Sequence, residues 1–210
     1  MFLFAEKKVI VHQLRDFPEW HRGIRHYGLW CLIIENPAWQ KAVTLAQAHM
    51  ADFLHPGYRR QPHVTLFCCG LLAEEADEFF SDEMRARQAD ALAAARLMPF
   101  RLSLPGHLDS FATAPHLPVA DPSGSLAKIR ILLAAIRPED QPPASYHPHI
   151  TLGFYRESFA AGRVAAHLRA FSLAPLMPLI VSSIHFCRFA AADTQGPLQR
   201  LTSLDLVERA

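Results

Sequence analysis

The chain is 210 residues long, half of them apolar and a fifth charged, with a formal net charge of +1. That length and balance suit a soluble globular fold with one large core or two small lobes. A charge so near neutrality excludes gripping a long nucleic acid by charge alone; a small anionic ligand or a nucleic-acid end remains open. Cys31, Cys68, Cys69 and Cys187 show no Cys-x-x-Cys spacing, and three of them lie in apolar, strand-like runs, as free buried thiols of a reducing compartment do. No apolar run approaches a membrane span, and Met1 to Phe4 meets Glu6, Lys7 and Lys8 too soon for a signal peptide. We therefore expect a cytoplasmic protein, monomeric and without membrane contact.

In chain order, residues 1–26 form an extension with a short apolar run at Val9 to Val11. A polar and aromatic segment follows, whose His21, Arg22 and Arg25 either sit in solvent or reach a ligand. Tyr27 to Ile34 reads as a buried strand. Asn36-Pro37 opens a helix to about Phe53, with Asn as N-cap and Pro at the first position. After His55-Pro56-Gly57 a strand is expected over His63 to Cys69, and Gly70 to Phe80 is an acidic loop. Ser81 caps a helix to about Leu97. Strands follow at Phe100 to Leu104 and Ala114 to Ala120, with a short piece near Leu108 to Phe111 between them. A helix runs from about Asp121 to Ile136, then a Pro-rich loop, then a strand at His149 to Tyr155. A helix at Phe159 to Phe171 and strands at Leu179 to Phe189 and Leu198 to Val207 complete the chain.

Two stretches repeat. Pro62-His63-Val64-Thr65-Leu66 recurs as Pro148-His149-Ile150-Thr151-Leu152, 86 positions on (149 − 63). With 12 His, 6 Thr and 27 Leu in the chain, random placement gives about 0.04 matches to His-x-Thr-Leu, so two copies are not chance. Around them the order strand, helix, motif strand, helix, strand occurs twice. We expect an α+β fold of duplicated β-α-β-α-β units, bilobal, with mainly antiparallel sheets around a central groove. The lobes would cover about 27–105 and 112–207.

Alternation puts His63 and Thr65 on one face of their strand and Val64 and Leu66 on the other; His149 and Thr151 stand likewise opposite Ile150 and Leu152. With the apolar faces in the core, two His and two Thr face a groove. Imidazole titrates near neutrality, so one ring can take a proton while the other gives one. That division suits in-line displacement at phosphorus, with Thr hydroxyls holding the non-bridging oxygens. Serine-hydrolase and phosphate-loop signatures are absent. His147 beside His149 is weak as a metal pair, so no metal or other cofactor is expected. Further candidates for the wall are Tyr58 and Arg60 before the first motif and Tyr155 and Arg156 after the second. The arginines suit a phosphate, and Tyr155, with Phe67 as its counterpart, falls on the groove face as a surface for base stacking.

The paired Pro-His-[Val/Ile]-Thr-Leu resembles the signature of the 2H phosphoesterase superfamily, which includes RNA 2′,3′-cyclic phosphodiesterases and 2′-5′ RNA ligases. The resemblance implies a bilobal fold, His63 and His149 as the catalytic pair, Thr65 and Thr151 as phosphate ligands, and no metal. It implies hydrolysis of a 2′,3′-cyclic phosphate on a nucleotide or RNA terminus, with a possible 2′-5′ joining activity. A non-catalytic nucleotide or RNA-end binding module and a small-molecule cyclic phosphodiesterase are the alternatives.

Overall fold

The structure is a computed structural model and describes residues 7–73, 78–140 and 142–207. The apolar start at Met1 to Phe4 and the acidic centre of the loop after Gly70 lie outside the described residues. Every pairing between named strands is antiparallel, and the helices pack on open sheets, so the fold is α+β.

The repeat is visible element by element. The first unit runs β1 (His26–Ile33), α2 (Pro37–Met50), β2 (His63–Leu71), α3 (Asp82–Ala94) and β3 (Phe100–Leu102). It is preceded by α1 (Pro18–His21), a single turn begun by Pro18. The second runs β5 (Pro115–Pro118), α4 (Ser125–Ala134), β6 (His149–Thr151), α5 (Ala161–Arg169) and β7 (Leu179–Val181). Asn36 and Ser81 cap α2 and α3 as expected, accepting hydrogen bonds from backbone N–H groups of the first turns. Asp121 serves α4 from a distance: its carboxylate accepts from Leu126 N, while Gly124 at φ 70° makes the turn into the helix.

The strand that follows each unit pairs with the other unit, while β3 and β7 pair with each other. After β3 comes β4 (Asp109–Ser110), which pairs with β5 of the second unit. After β7 comes β8 (Ser183–Ala190), which pairs with β1 of the first, and β9 (Gln199–Asp205) adds to its outer edge. The sheets are therefore β2-β1-β8-β9, β4-β5-β6 and the pair β3-β7. Division at 27–105 and 112–207 does not follow the sheets, because β8 and β9 lie with the first motif; the run Leu179 to Phe189, read as one strand, breaks at Ser182 to allow this exchange.

Both motif strands are sheet edges, and they come against each other. An unpaired edge needs cover. On β2 it comes from the Pro-rich loop of the second unit: Asp140 N donates to Cys68 O, Cys68 N to Glu139, and Tyr146 Oη to Thr65 O. Arg130 of α4 donates to Leu66 O and pairs with Glu139, whose side chain is 6% exposed. One continuous core collects Trp30, Leu32, Val64 and Leu66 from the first sheet, Leu117 and Ile150 from the second, and the stripe Leu126, Ile129 and Leu133 of α4.

Candidate functional site

Cross-strand register fixes what shares a face with the motifs. In the first unit Ile33 stands opposite His63, Leu32 opposite Val64 and Cys31 opposite Thr65. In the second, Pro118 stands opposite His149, Leu117 opposite Ile150 and His116 opposite Thr151. Directly opposed residues point the same way. Val64, Leu32, Ile150 and Leu117 are fully buried, which leaves the His and Thr faces on the other side.

The two histidines are oriented alike. His63 Nδ1 lies 2.8 Å from Gln61 O, and His149 Nδ1 lies 2.7 Å from His147 O. A carbonyl only accepts, so each Nδ1 carries a hydrogen, and each neutral ring keeps its lone pair on Nε2. Among the described residues neither Nε2 nor either threonine hydroxyl has a hydrogen-bond partner. Burial lowers the His63 pKa to about 4, helped by the positive Arg60 and by His149, and against the Gln61 bond. Burial lowers that of His149 too, against its bond to His147. His63 is 7% exposed and His149 more open.

Arg60 stands beside His63. Its Nε donates to Gly196 O at 3.1 Å and its guanidinium lies 4.0 Å from the Phe189 ring centroid. Its Nη2 is buried and makes no hydrogen bond. A sealed guanidinium donor without an acceptor is costly unless an anion completes it. Tyr58 is half-buried with its ring edge-on to Phe154, and burial raises its pKa to about 12.

Two expectations about the wall need correction. Phe67 is 1% exposed: Thr65 pairs with Cys31 and Phe67 with Trp30, so Leu66 is an extra residue, and beyond that bulge the alternation turns Phe67 into the core. Tyr155 is fully buried, with its hydroxyl 2.6 Å from Ser110 Oγ, so it offers no stacking surface. The strand ends at Thr151, and Gly153 adopts φ 151°, a value side chains rarely tolerate, so counting by twos from His149 fails. Arg156 is exposed and pairs with Glu157 at 3.5 Å. Of the segment before β1, Arg22 pairs with Glu78 and His21 with Asp16.

Counting by motif missed His116 and Phe111. The His116 ring packs 5.0 Å from His149 and stacks on Phe111 at 4.3 Å; Phe111 meets His149 edge-on at 4.8 Å. A cavity of about 330 Å³ opens beside the Phe111 and His116 rings. Larger hollows, of about 950 Å³ beside Arg96 and Lys128 and about 610 Å³ beside Arg22 and Arg137, contain no motif residue. Among the described residues no three His, Cys, Asp or Glu side chains converge to hold a metal ion, and no helix is long and apolar enough to cross a membrane.

A family model described as the 2′-5′ RNA ligase superfamily matches residues 35–193. No curated protein sequence matches the chain. Among solved structures, E. coli LigT complexed with 3′-AMP superposes with a TM-score of 0.60 at 16% identity, over 88% of this chain and 99% of LigT. LigT has also been solved with phosphate, ATP and NADP+. A Thermus thermophilus protein gives 0.58 at 15% identity, covering 86% of this chain and 97% of its own. A conserved Agrobacterium tumefaciens protein of unknown function gives 0.56 at 16%, covering 95% of each. At these identities the likeness establishes a shared fold.

Proposed function

The chain belongs to the 2′-5′ RNA ligase superfamily, and we propose that it is a metal-independent phosphodiesterase that opens a 2′,3′-cyclic phosphate on a nucleotide or at an RNA end. The observation that carries this reading is the matched pair of histidines. Each is fixed by the same Nδ1 hydrogen bond on an edge strand, and the two strands meet.

The chemistry follows from that arrangement. The phosphate sits between the two Nε2 atoms, with its non-bridging oxygens on Thr65 and Thr151 and on the unpaired Nη2 donor of Arg60. His63, held neutral by burial and by Arg60, takes the proton of the attacking water. The new P–O bond forms as the P–O3′ bond breaks. His149, the more open ring, protonates the leaving O3′, and a 2′-phosphate and a 3′-hydroxyl result. A bound phosphate anion favours the protonated form of the ring beside it, which offsets the burial that keeps His149 neutral in the free protein. With a 5′-hydroxyl in place of water, the same steps give a 2′-5′ linkage. The donors suit charge that spreads onto oxygen in the transition state. LigT, with the same fold, has been solved with 3′-AMP and with phosphate, which supports a nucleotide as the ligand.

One observation favours a binding module instead: burial lowers both histidines, so the free protein holds no ready proton donor. Incubating the protein with a nucleoside 2′,3′-cyclic phosphate in EDTA separates the two. Conversion to the 2′-phosphate supports the phosphodiesterase. Saturable binding without conversion, across cyclic and 2′-5′-linked nucleotides, contradicts it.

A further inference from the structure

The two copies of the motif differ in what stands next to them. Register makes His116 the counterpart of Cys31, each opposite the motif threonine. Asp109 pairs with His116 as His185 pairs with Cys31, so Phe111, two residues past Asp109, corresponds to Cys187. Phe111 N donates to Ala114 O, the place Leu29 holds opposite Cys187. In the first copy this place is filled: Cys31 and Cys187 are fully buried and pack with Leu29 under Leu198, which Gln61 ties down by two hydrogen bonds. In the second copy two rings replace the two thiols, and the place is a cavity of about 330 Å³. Among the described residues the sheet β4-β5-β6 has no strand that corresponds to β9.

We propose that this cavity seats the base of the nucleotide whose phosphate lies between the histidines. The proposal rests on the phosphodiesterase reading for the position of the phosphate and on the asymmetry of the two copies for the rest. Phe111 and His116 form one stacked aromatic face that touches His149, so a ligand held at His149 reaches them at once. Pro118 adds an apolar wall, and Asp109, Ser145 and His147 add polar groups at the rim. The volume is at the lower end of the roughly 300–1,000 Å³ that small-molecule sites occupy. His116 is 5% exposed and its Nδ1 is sealed without a hydrogen bond; the Ala114 carbonyl beside it falls short of bonding geometry. The counterpart of this buried imidazole in the first copy is a cysteine, so the duplicated fold accommodates a small side chain at this place. His116 Nδ1 is closed to a ligand, so a heteroaromatic base would meet this ring at Nε2 or stack on the Phe111–His116 pair.

The test compares a nucleoside 2′,3′-cyclic phosphate with the base-free ribose 2′,3′-cyclic phosphate, in wild type and in Phe111→Ala. The base should raise kcat/KM in wild type, and Phe111→Ala should cut the ratio between the two substrates by roughly tenfold, mostly through KM. A merely structural Phe111, bracing His149, would slow both substrates alike and leave the ratio intact; that result overturns the proposal, as does equal use of the two substrates by wild type. Phe111→Leu keeps the volume and loses the π-face, and serves if the alanine variant does not fold. If wild type turns over neither substrate, the phosphodiesterase reading fails. The base seat is then judged by calorimetry, where a nucleoside 3′-phosphate must bind more tightly than inorganic phosphate and lose that margin in the Phe111 variant.

Discussion

His63 and His149 make the same hydrogen bond at the same offset: Nδ1 of each donates to the carbonyl two residues back, at 2.8 and 2.7 Å. The proline of each motif lies between donor and acceptor, at 62 and 148, and its ring fixes φ of the backbone that joins them. Its own carbonyl binds the neighbouring strand: Pro62 O accepts from Ile34 N, and Pro148 O from Val119 N. The short motif thus sets both where the strand pairs and which nitrogen of the ring stays open.

Arg60 is the first residue to test outside the motif. Arg60→Met keeps the stem over Phe189 and removes the donor to the phosphate. A charged hydrogen bond contributes about 1.5–3 kcal/mol, so the inhibition constant of inorganic phosphate should rise by roughly 10- to 100-fold. Arg60 also lowers the His63 pKa, so its removal should shift the acid limb of the kcat/KM profile to higher pH. An unchanged inhibition constant, measured by competition, would remove Arg60 from the site.

Stability should fall as pH is lowered from about 6.5. The folded pKa of His63 is about 4 and that of His116 about 3, both mainly through burial, whereas the unfolded rings titrate near 6.5. Between those values the unfolded chain binds protons that the native rings refuse, so unfolding becomes easier as pH falls. Each ring contributes on the order of 1.4 kcal/mol per pH unit in that window. In urea midpoints measured from pH 7 to 4.5, His63→Gln should show a shallower slope than wild type. Parallel curves would contradict the burial of His63.

Tyr155 and Ser110 share a buried hydrogen bond of 2.6 Å. Tyr155→Phe should cost about 1 kcal/mol in stability, seen as a lower Tm, while KM for a cyclic nucleotide stays as it was. A rise in KM at constant Tm would restore Tyr155 to the substrate wall.

Arg130 and Glu139 fasten the second unit to the edge of β2. Arg130→Met leaves the Glu139 carboxylate, 6% exposed, without its charge partner, a loss of about 3–5 kcal/mol. Adding Glu139→Gln should recover part of it in urea unfolding. An additive double variant would show that the two do not act as a pair.

What is legible in the sequence follows from local rules. The motif strands, the Asn36 and Ser81 caps and the inward Val64 and Ile150 all follow from period and capping chemistry. Facing fails where the ladder is irregular. The bulge at Leu66 and the turn at Gly153 leave no period to count, so alternation puts Phe67 and Tyr155 on the wrong side. Strand exchange is hidden because β4 and β8 pair with the other unit and carry no mark of it in their residues. His116 is hidden by a single insertion: Cys31 precedes His63 by 32 residues (63 − 31) and His116 precedes His149 by 33 (149 − 116), so a fixed offset misaligns them.

The central claim is that two histidines act as one acid–base pair on a cyclic phosphate without a metal. The most direct measurement is single-turnover hydrolysis of a nucleoside 2′,3′-cyclic phosphate in EDTA by wild type, His63→Ala, His149→Ala and the double variant. The account predicts turnover by wild type, a fall of roughly 10²–10⁴ in each single variant, and a double variant little slower than the worse single, since the pair works as a unit. Loss of wild-type turnover in EDTA, or unchanged turnover in both single variants, would contradict it.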